Sequence, residues 1–223
     1  MATDKAEGNS GISELVKVVE NRKEFRAWRT GNKAAHLSSV FIMVGDASQL
    51  TGKVTAGTNA GNNVSNNVSN EWLISYYDKK SDSFTTFSSL GTQRAAKEQA
   101  FKKGKSLPKL DADAIRVGIS KGIEIAEGIR ASNYRGEETS RVIAILQPLT
   151  QDEILAGNES DRGGKGNSKN KASPAAANSI RPVWNVTYIT TAYNVINVKV
   201  DAETGKVLSH RLSGVMDFMQ KDK

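Results

Sequence analysis

The residues that could carry chemistry in this 223-residue chain are few. Its two histidines, His36 and His210, lie near opposite ends, and neither has a ligand partner one helical turn away. A metal site or a His-centred general base would need such partners, so packed or solvated imidazoles are expected instead. Cysteine is absent, which excludes a disulfide framework, a thiolate nucleophile and a Cys-based zinc site. The one glycine-rich run with a lysine, Gly163-Gly164-Lys165-Gly166, lacks the spacing and the following Ser or Thr that cradle a phosphate. No Gly-x-Ser-x-Gly elbow occurs. Asp111 and Asp113 sit where a helix should begin, so capping and the helix dipole explain them better than acid–base work. The reading is therefore non-enzymatic: no catalytic residue, no cofactor-binding residue and no metal ligand is assigned, and no binding residue can be named.

Charge offers a second route to function. Lys plus Arg number 31 against 24 Asp plus Glu, a formal net charge of +7. Such a surplus attracts acidic partners and equally serves solubility. Lys97, Lys102, Lys103 and Lys105, with Arg162, Lys165, Lys169 and Lys171, could contact nucleic-acid phosphates. Single-strand binding also needs aromatic rings exposed beside the cations, and the aromatics here fall in expected core strands. Nucleic acid is accordingly the alternative partner, behind a protein or peptide. The sequons at Asn63, Asn67, Asn158 and Asn185 are accounted for by chance in an Asn-rich chain.

No run approaches the roughly 20 apolar residues of a membrane span, so no integral membrane protein is expected. Residues 1–10 are polar and contain no apolar signal core. If Met1 is the native start, the protein is expected to be cytoplasmic; if a leader has been removed, extracytoplasmic. The oligomeric state is not encoded in any readable feature.

Around these residues the chain offers clear elements. Ile12, Leu15, Val16 and Val19 form a helical stripe, and Asn21 with Glu24 has the form of a capping box, which restarts the helix near Asn21 and carries it to about Arg29. Leu37–Val44 is an apolar strand, and residues 51–70, rich in Thr, Gly, Asn and Ser, read as a mobile loop. Residues 71–77 and 83–88 form a hairpin around Asp78-Lys79-Lys80-Ser81-Asp82. The basic stretch 92–104 is expected to be helical, with Pro108 as a boundary. A second long helix is expected from the Asp111 cap to about Ala131, burying Ile115, Ile119, Ile123, Ala126 and Ile129 or Arg130. Gly118 and Gly122 on one of its faces would admit close packing. Residues 141–147 form a strand closed by Pro148, residues 157–179 a loop, and residues 183–189 a strand. A last hairpin, 195–200 with 206–210, turns at Asp201–Gly205, where glycine supplies a positive φ.

The order recurs: helix, apolar strand, polar loop, tryptophan strand, hairpin. Trp72-Leu73-Ile74-Ser75-Tyr76 matches Trp184-Asn185-Val186-Thr187-Tyr188, and in each strand Trp and Tyr, four apart, share a face. A competing alignment pairs the Asp78 turn with the Asp201 turn and leaves the first half a strand short.

The segment Val183–Tyr188, followed by Val198-Lys199-Val200-Asp201-Ala202-Glu203-Thr204-Gly205-Lys206-Val207, resembles the PepSY-domain pattern of a tryptophan strand and a V-D-A-x-T-G-K-V hairpin. The resemblance covers residues 111–211 directly and residues 12–90 through the internal similarity. It implies a cystatin-like fold, a helix against a curved antiparallel sheet, and peptidase inhibition or peptide binding without catalysis.

The expectation is thus an α+β protein of two similar units, each a helix packed on an antiparallel β-meander. A flexible N-terminus (1–11) precedes the first unit (12–90); a basic linker (91–110) leads to the second, PepSY-like unit (111–214) and a C-terminal tail (215–223). Its expected role is a peptide- or protein-binding module, with the sheets' open faces or the groove between the units as the binding surface.

Overall fold

A computed structural model describes residues 10–44, 71–91, 93–99, 107–155 and 179–214, including side chains except at Ser10, Val44, 93–99 and Leu155. The expected loops at 51–70 and 157–178, the tail 215–223 and most of the basic stretch around 100–106 lie outside those residues. The elements are α1 (Ser10–Glu20), α2 (Lys23–Gly31), β1 (His36–Val44), β2 (Trp72–Asp78), β3 (Ser83–Ser88), β4 (Gln93–Gln99), α3 (Ile119–Asn133), β5 (Thr139–Thr150), α4 (Gln151–Leu155), β6 (Ile180–Thr190), β7 (Asn194–Asp201) and β8 (Val207–Gly214). The fold class is α+β, as the periodicities imply.

All eight strands join in one antiparallel sheet, ordered β4-β3-β2-β1-β5-β6-β7-β8. The centre is the β1–β5 pairing, from Val40 opposite Leu146 to Val44 opposite Val142. From that seam a four-stranded meander runs outward on each side, preceded in sequence by α1 and α2 in one case and by α3 in the other. The separate sheets expected for two units are therefore joined edge to edge into one.

Alternation decides which side chains meet the helices. Val40, Ile42, Trp72, Ile74, Tyr76, Val142, Ala144, Leu146, Trp184, Val186, Tyr188, Ile196, Val198 and Val200 all point to one side. They form a single core with Ile12, Leu15, Val16 and Val19 of α1, Phe25 of α2 and Ile119, Ile123 and Ala126 of α3. Trp72 and Trp184 belong to that core, and Trp28 packs partly buried against it. Gly122 faces Trp184 so closely that a Cβ there would lie 3.1 Å from the indole Cδ1.

Several local expectations are corrected. Residues 93–99, expected within a helical linker, form β4 beside β3. Their Ala, Lys, Glu and Gln content favours a helix intrinsically, but an edge strand accepts charged residues, and pairing with β3 overrides a propensity of a few tenths of a kcal/mol per residue. This also gives the first meander its fourth strand, so the alignment of Trp72 with Trp184 leaves no strand missing.

The long helix starts late. Asp111 caps only a 3-10 turn at Ala112–Ala114, accepting from the Asp113 N–H at 3.0 Å, and α3 begins after Gly118. Arg116 and Val117 donate their backbone N–H groups to the Ala202 carbonyl at 2.9 and 2.8 Å, which holds 115–118 outside the helix.

The Asn21–Glu24 capping box does not form. The residue before α2 is Arg22, without a side-chain cap; its guanidinium instead donates to the carbonyls of Ser88 and Ser89 and ties the helix break to the end of β3. Nor does Pro148 close β5. It pairs with Pro182 beyond the last β1–β5 pair, so its missing N–H falls where β5 has β6 on only one side.

Candidate functional site

The V-D-A-x-T-G-K-V segment does structural work. Asp201, almost fully buried, accepts the Glu203 and Thr204 N–H groups at 2.9 Å each through Oδ1, and Oδ2 lies 3.4 Å from the Arg181 guanidinium. Gly205 takes φ 75°, as a left-handed turn position requires. Ala202 donates to the Pro182 carbonyl and accepts from the strap leading into α3. Trp184 Nε1 donates to the Val117 carbonyl at 2.7 Å, clamping the same strap. The motif thus locks β6, β7 and the approach to α3 together and leaves the other side of the sheet available.

That other side is where a site forms. Register places Leu73, Phe41, Ile145, Asn185, Lys199 and Ser209 in one row across β2-β1-β5-β6-β7-β8. The next row holds Met43, Ile143, Thr187, Asn197 and Arg211 across β1-β5-β6-β7-β8. The face is apolar at the β1–β5 seam, where Met43 is 47% exposed, and becomes polar and cationic over β6–β8. There a concavity of about 350 Å³ is lined by Asn185, Thr187, Asn197, Lys199, Ser209 and Arg211, with Val195, His210 and Ser213 at its margins.

Its hydrogen bonding is asymmetric. Asn197 Nδ2 donates to Asn185 Oδ1 at 2.6 Å and to Thr187 Oγ1 at 2.9 Å, fixing three polar side chains on adjacent strands. Lys199 Nζ donates to the Glu153 carbonyl at 2.8 Å, holding α4 at the edge of the face. The Glu153 carboxylate is turned back onto Thr150, accepting from its N–H and its hydroxyl at 2.8 and 2.9 Å. Arg211 makes no hydrogen bond and no ion pair among the described residues. Burial, and then the charge of Arg211, holds the Lys199 ammonium below its ordinary pKa, with Glu153 acting in the opposite sense.

The residues singled out from sequence are not brought together. His36 Nε2 lies 3.1 Å from the Leu107 carbonyl, and His210 Nδ1 lies 2.7 Å from the Tyr134 hydroxyl. No group of three potential metal ligands occurs among the described residues. Asp111 serves its turn, and Asp113 accepts from Ser13 Oγ at 3.1 Å. Lys102, Lys103, Lys105, Arg162, Lys165, Lys169 and Lys171 lie outside the described residues, and the Lys97 side chain is likewise not described. The sequon residues Asn185 and Thr187 lie mid-strand, engaged by Asn197. Asn197, Lys199 and Arg211 belong to no chemical motif; alternation with the buried Ile196, Val198 and Val200 is the signal that places the first two on the open face.

The Trp–Tyr strands carry one further parallel. Tyr76 donates its hydroxyl to Glu20 Oε1 of α1 at 2.9 Å, and Tyr188 lies buried by the Glu127–Arg130 pair of α3 without an aligned partner. Burial raises the pKa of both phenols, reinforced by Glu20 and Glu127 respectively.

Among the described residues, no helix is long and apolar enough to cross a membrane. No family model matches the chain, and neither does any curated protein. A solved structure described as a "putative lipoprotein" from Clostridium difficile 630 aligns over 94% of this chain and 97% of its own, at 10% identity and a TM-score of 0.40.

Proposed function

We propose that this protein is a non-catalytic peptide- or protein-binding module, built by tandem duplication of a PepSY-like helix-plus-meander unit, and that it binds on the open face of the sheet. The observation that carries this reading is the concavity over β6–β8, on the side that α1, α2 and α3 leave uncovered. Duplication is supported by the matching strand order outward from β1 and β5 and by the two Trp–Tyr strands beneath their helices. Binding without catalysis is supported by the lining: among the described residues no carboxylate lines the concavity beside Lys199 and Arg211, and His210 at the margin is engaged by the Tyr134 hydroxyl. Peptidase inhibition is the form of binding that the PepSY resemblance implies.

Nucleic acid is disfavoured by the aromatics: Trp72, Tyr76, Phe87, Trp184 and Tyr188 are buried in the core, leaving no stacking platform in the concavity. The test is panning of a random-peptide phage library on the full chain, with Thr187→Trp, which fills the concavity, as counter-target. Selected peptides should bind the variant at least tenfold more weakly, with little salt dependence. Equal binding to the variant places the site elsewhere. Oligonucleotide affinity that falls steeply with salt would instead establish the nucleic-acid reading.

A further inference from the structure

We propose that the concavity is a carboxylate site, with Arg211 and Lys199 receiving an acidic side chain of an extended partner segment whose apolar side chain, about four residues away, rests on the β1–β5 seam. The inference rests on the binding reading above and specifies its ligand.

The first support is unspent hydrogen-bonding capacity. Arg211 presents a planar fork suited to bidentate capture of a carboxylate, and nothing among the described residues occupies it. Lys199 faces Ser209 across the strand pair, so Arg211 is its diagonal neighbour, roughly 7–8 Å away along the sheet. Two cations at that separation can reach a single anion between them. Lys199 spends one donor on the Glu153 carbonyl and, among the described residues, keeps the others. The carboxylate of Glu153 adjoins the pair but is hydrogen-bonded to Thr150, so among the described residues the positive charge is offset only in part. The depressed basicity of Lys199 agrees with two like charges held close in a partly dry site.

The second support is the neighbouring chemistry. Asn197 and Thr187 lead from Arg211 to Ile143 and Met43 along one row of the register. Three inter-strand spacings of about 4.8 Å separate Arg211 from Ile143, roughly 14 Å. An extended segment advances about 3.3 Å per residue, so side chains four positions apart, on the same side, match that distance. A free phosphate or a polyanion would leave the apolar seam unused. A nucleic acid would need more cations than two, together with exposed rings.

The test uses the full chain and fluorescein-labelled, C-terminally amidated peptides read by fluorescence anisotropy. The reference probe is Gly-Glu-Ser-Thr-Ser-Phe; one comparison replaces Glu by Gln, another Phe by Ser, and labelled dT12 serves as the polyanion. The Gln and Ser peptides should each bind about tenfold more weakly than the reference. Arg211→Gln should cost a similar factor, and Arg211→Lys should restore part of it. Arg211 is partly exposed on the outer strand, so these variants should fold, whereas Lys199→Met also releases α4 and serves as a second line. If the Glu and Gln peptides bind equally, the carboxylate assignment falls while peptide binding stands. If binding of the reference probe is unchanged in Arg211→Gln, or no peptide binds, the proposal falls altogether. Salt-steep binding of dT12 that Arg211→Gln abolishes would overturn it in favour of nucleic acid.

Discussion

The fit between α3 and β6 can be probed with two glycines of the same helix. At Gly122 an added methyl would sit 3.1 Å from Trp184 Cδ1 and 3.2 Å from Cγ, inside the 3.5–4.0 Å at which carbon atoms rest comfortably. The indole has no room to yield: it is fully buried, and its Nε1 is fixed at 2.7 Å to the Val117 carbonyl. Overpacking of this kind costs about 1–3 kcal/mol, while replacing glycine by alanine in a helix returns about 1 kcal/mol. Gly122→Ala should therefore destabilise the protein by up to about 2 kcal/mol. Gly128 lies in the same helix, and a methyl added there would meet nothing within 4 Å. Gly128→Ala should then stabilise by up to about 1 kcal/mol, because only the propensity gain remains. Urea denaturation of the two variants and the wild type at one pH gives the comparison, with the midpoints moving in opposite directions at an unchanged m-value. If Gly122→Ala were stabilised as much as Gly128→Ala, the account of α3 packed tightly on Trp184 would be wrong.

Tyr76→Phe removes a hydroxyl that donates to Glu20 and should cost about 1 kcal/mol, whereas Tyr188→Phe removes one that lies near Glu127 but is poorly aligned with it and should cost less in the same denaturation assay. Both phenols titrate above their ordinary value of 10.0, so above that pH the unfolded chain loses protons that the folded chain keeps. Stability should accordingly be insensitive to these groups at neutral pH and fall above pH 10 by about 1.4 kcal/mol per pH unit for each tyrosine, and Tyr76→Phe should make the fall shallower. Lys199, whose pKa is lowered, works in the opposite sense just below its ordinary 10.5. Asp201→Ala strips the acceptor from two turn N–H groups and leaves Arg181 unpaired, with an expected loss of about 2–4 kcal/mol by thermal or urea unfolding.

Much of the fold could be read from local pattern. The α1 stripe, the β2–β3 hairpin and the Gly205 turn emerge from periodicity and turn chemistry that act over a few residues. What could not be read is set by distant partners. β4 is a strand because β3 offers it an edge, and residues 115–118 stay outside the helix because the Ala202 carbonyl takes the Arg116 and Val117 N–H groups. The joining of both meanders through β1 and β5 is likewise a long-range pairing that no local signal announces. The concavity belongs to the same class. Asn197 and Lys199 alternate visibly with buried neighbours, but their meeting with Asn185, Thr187 and Arg211 depends on the register of three strands.

The most direct test of the open face as the binding surface is a 15N–1H correlation titration of the full chain with the Gly-Glu-Ser-Thr-Ser-Phe probe. Shifts should concentrate at Asn185, Thr187, Asn197, Lys199 and Arg211, with Ile143 following and the residues of α3 quiet. Shifts centred on α1 or α3, or scattered without saturation, would contradict the account.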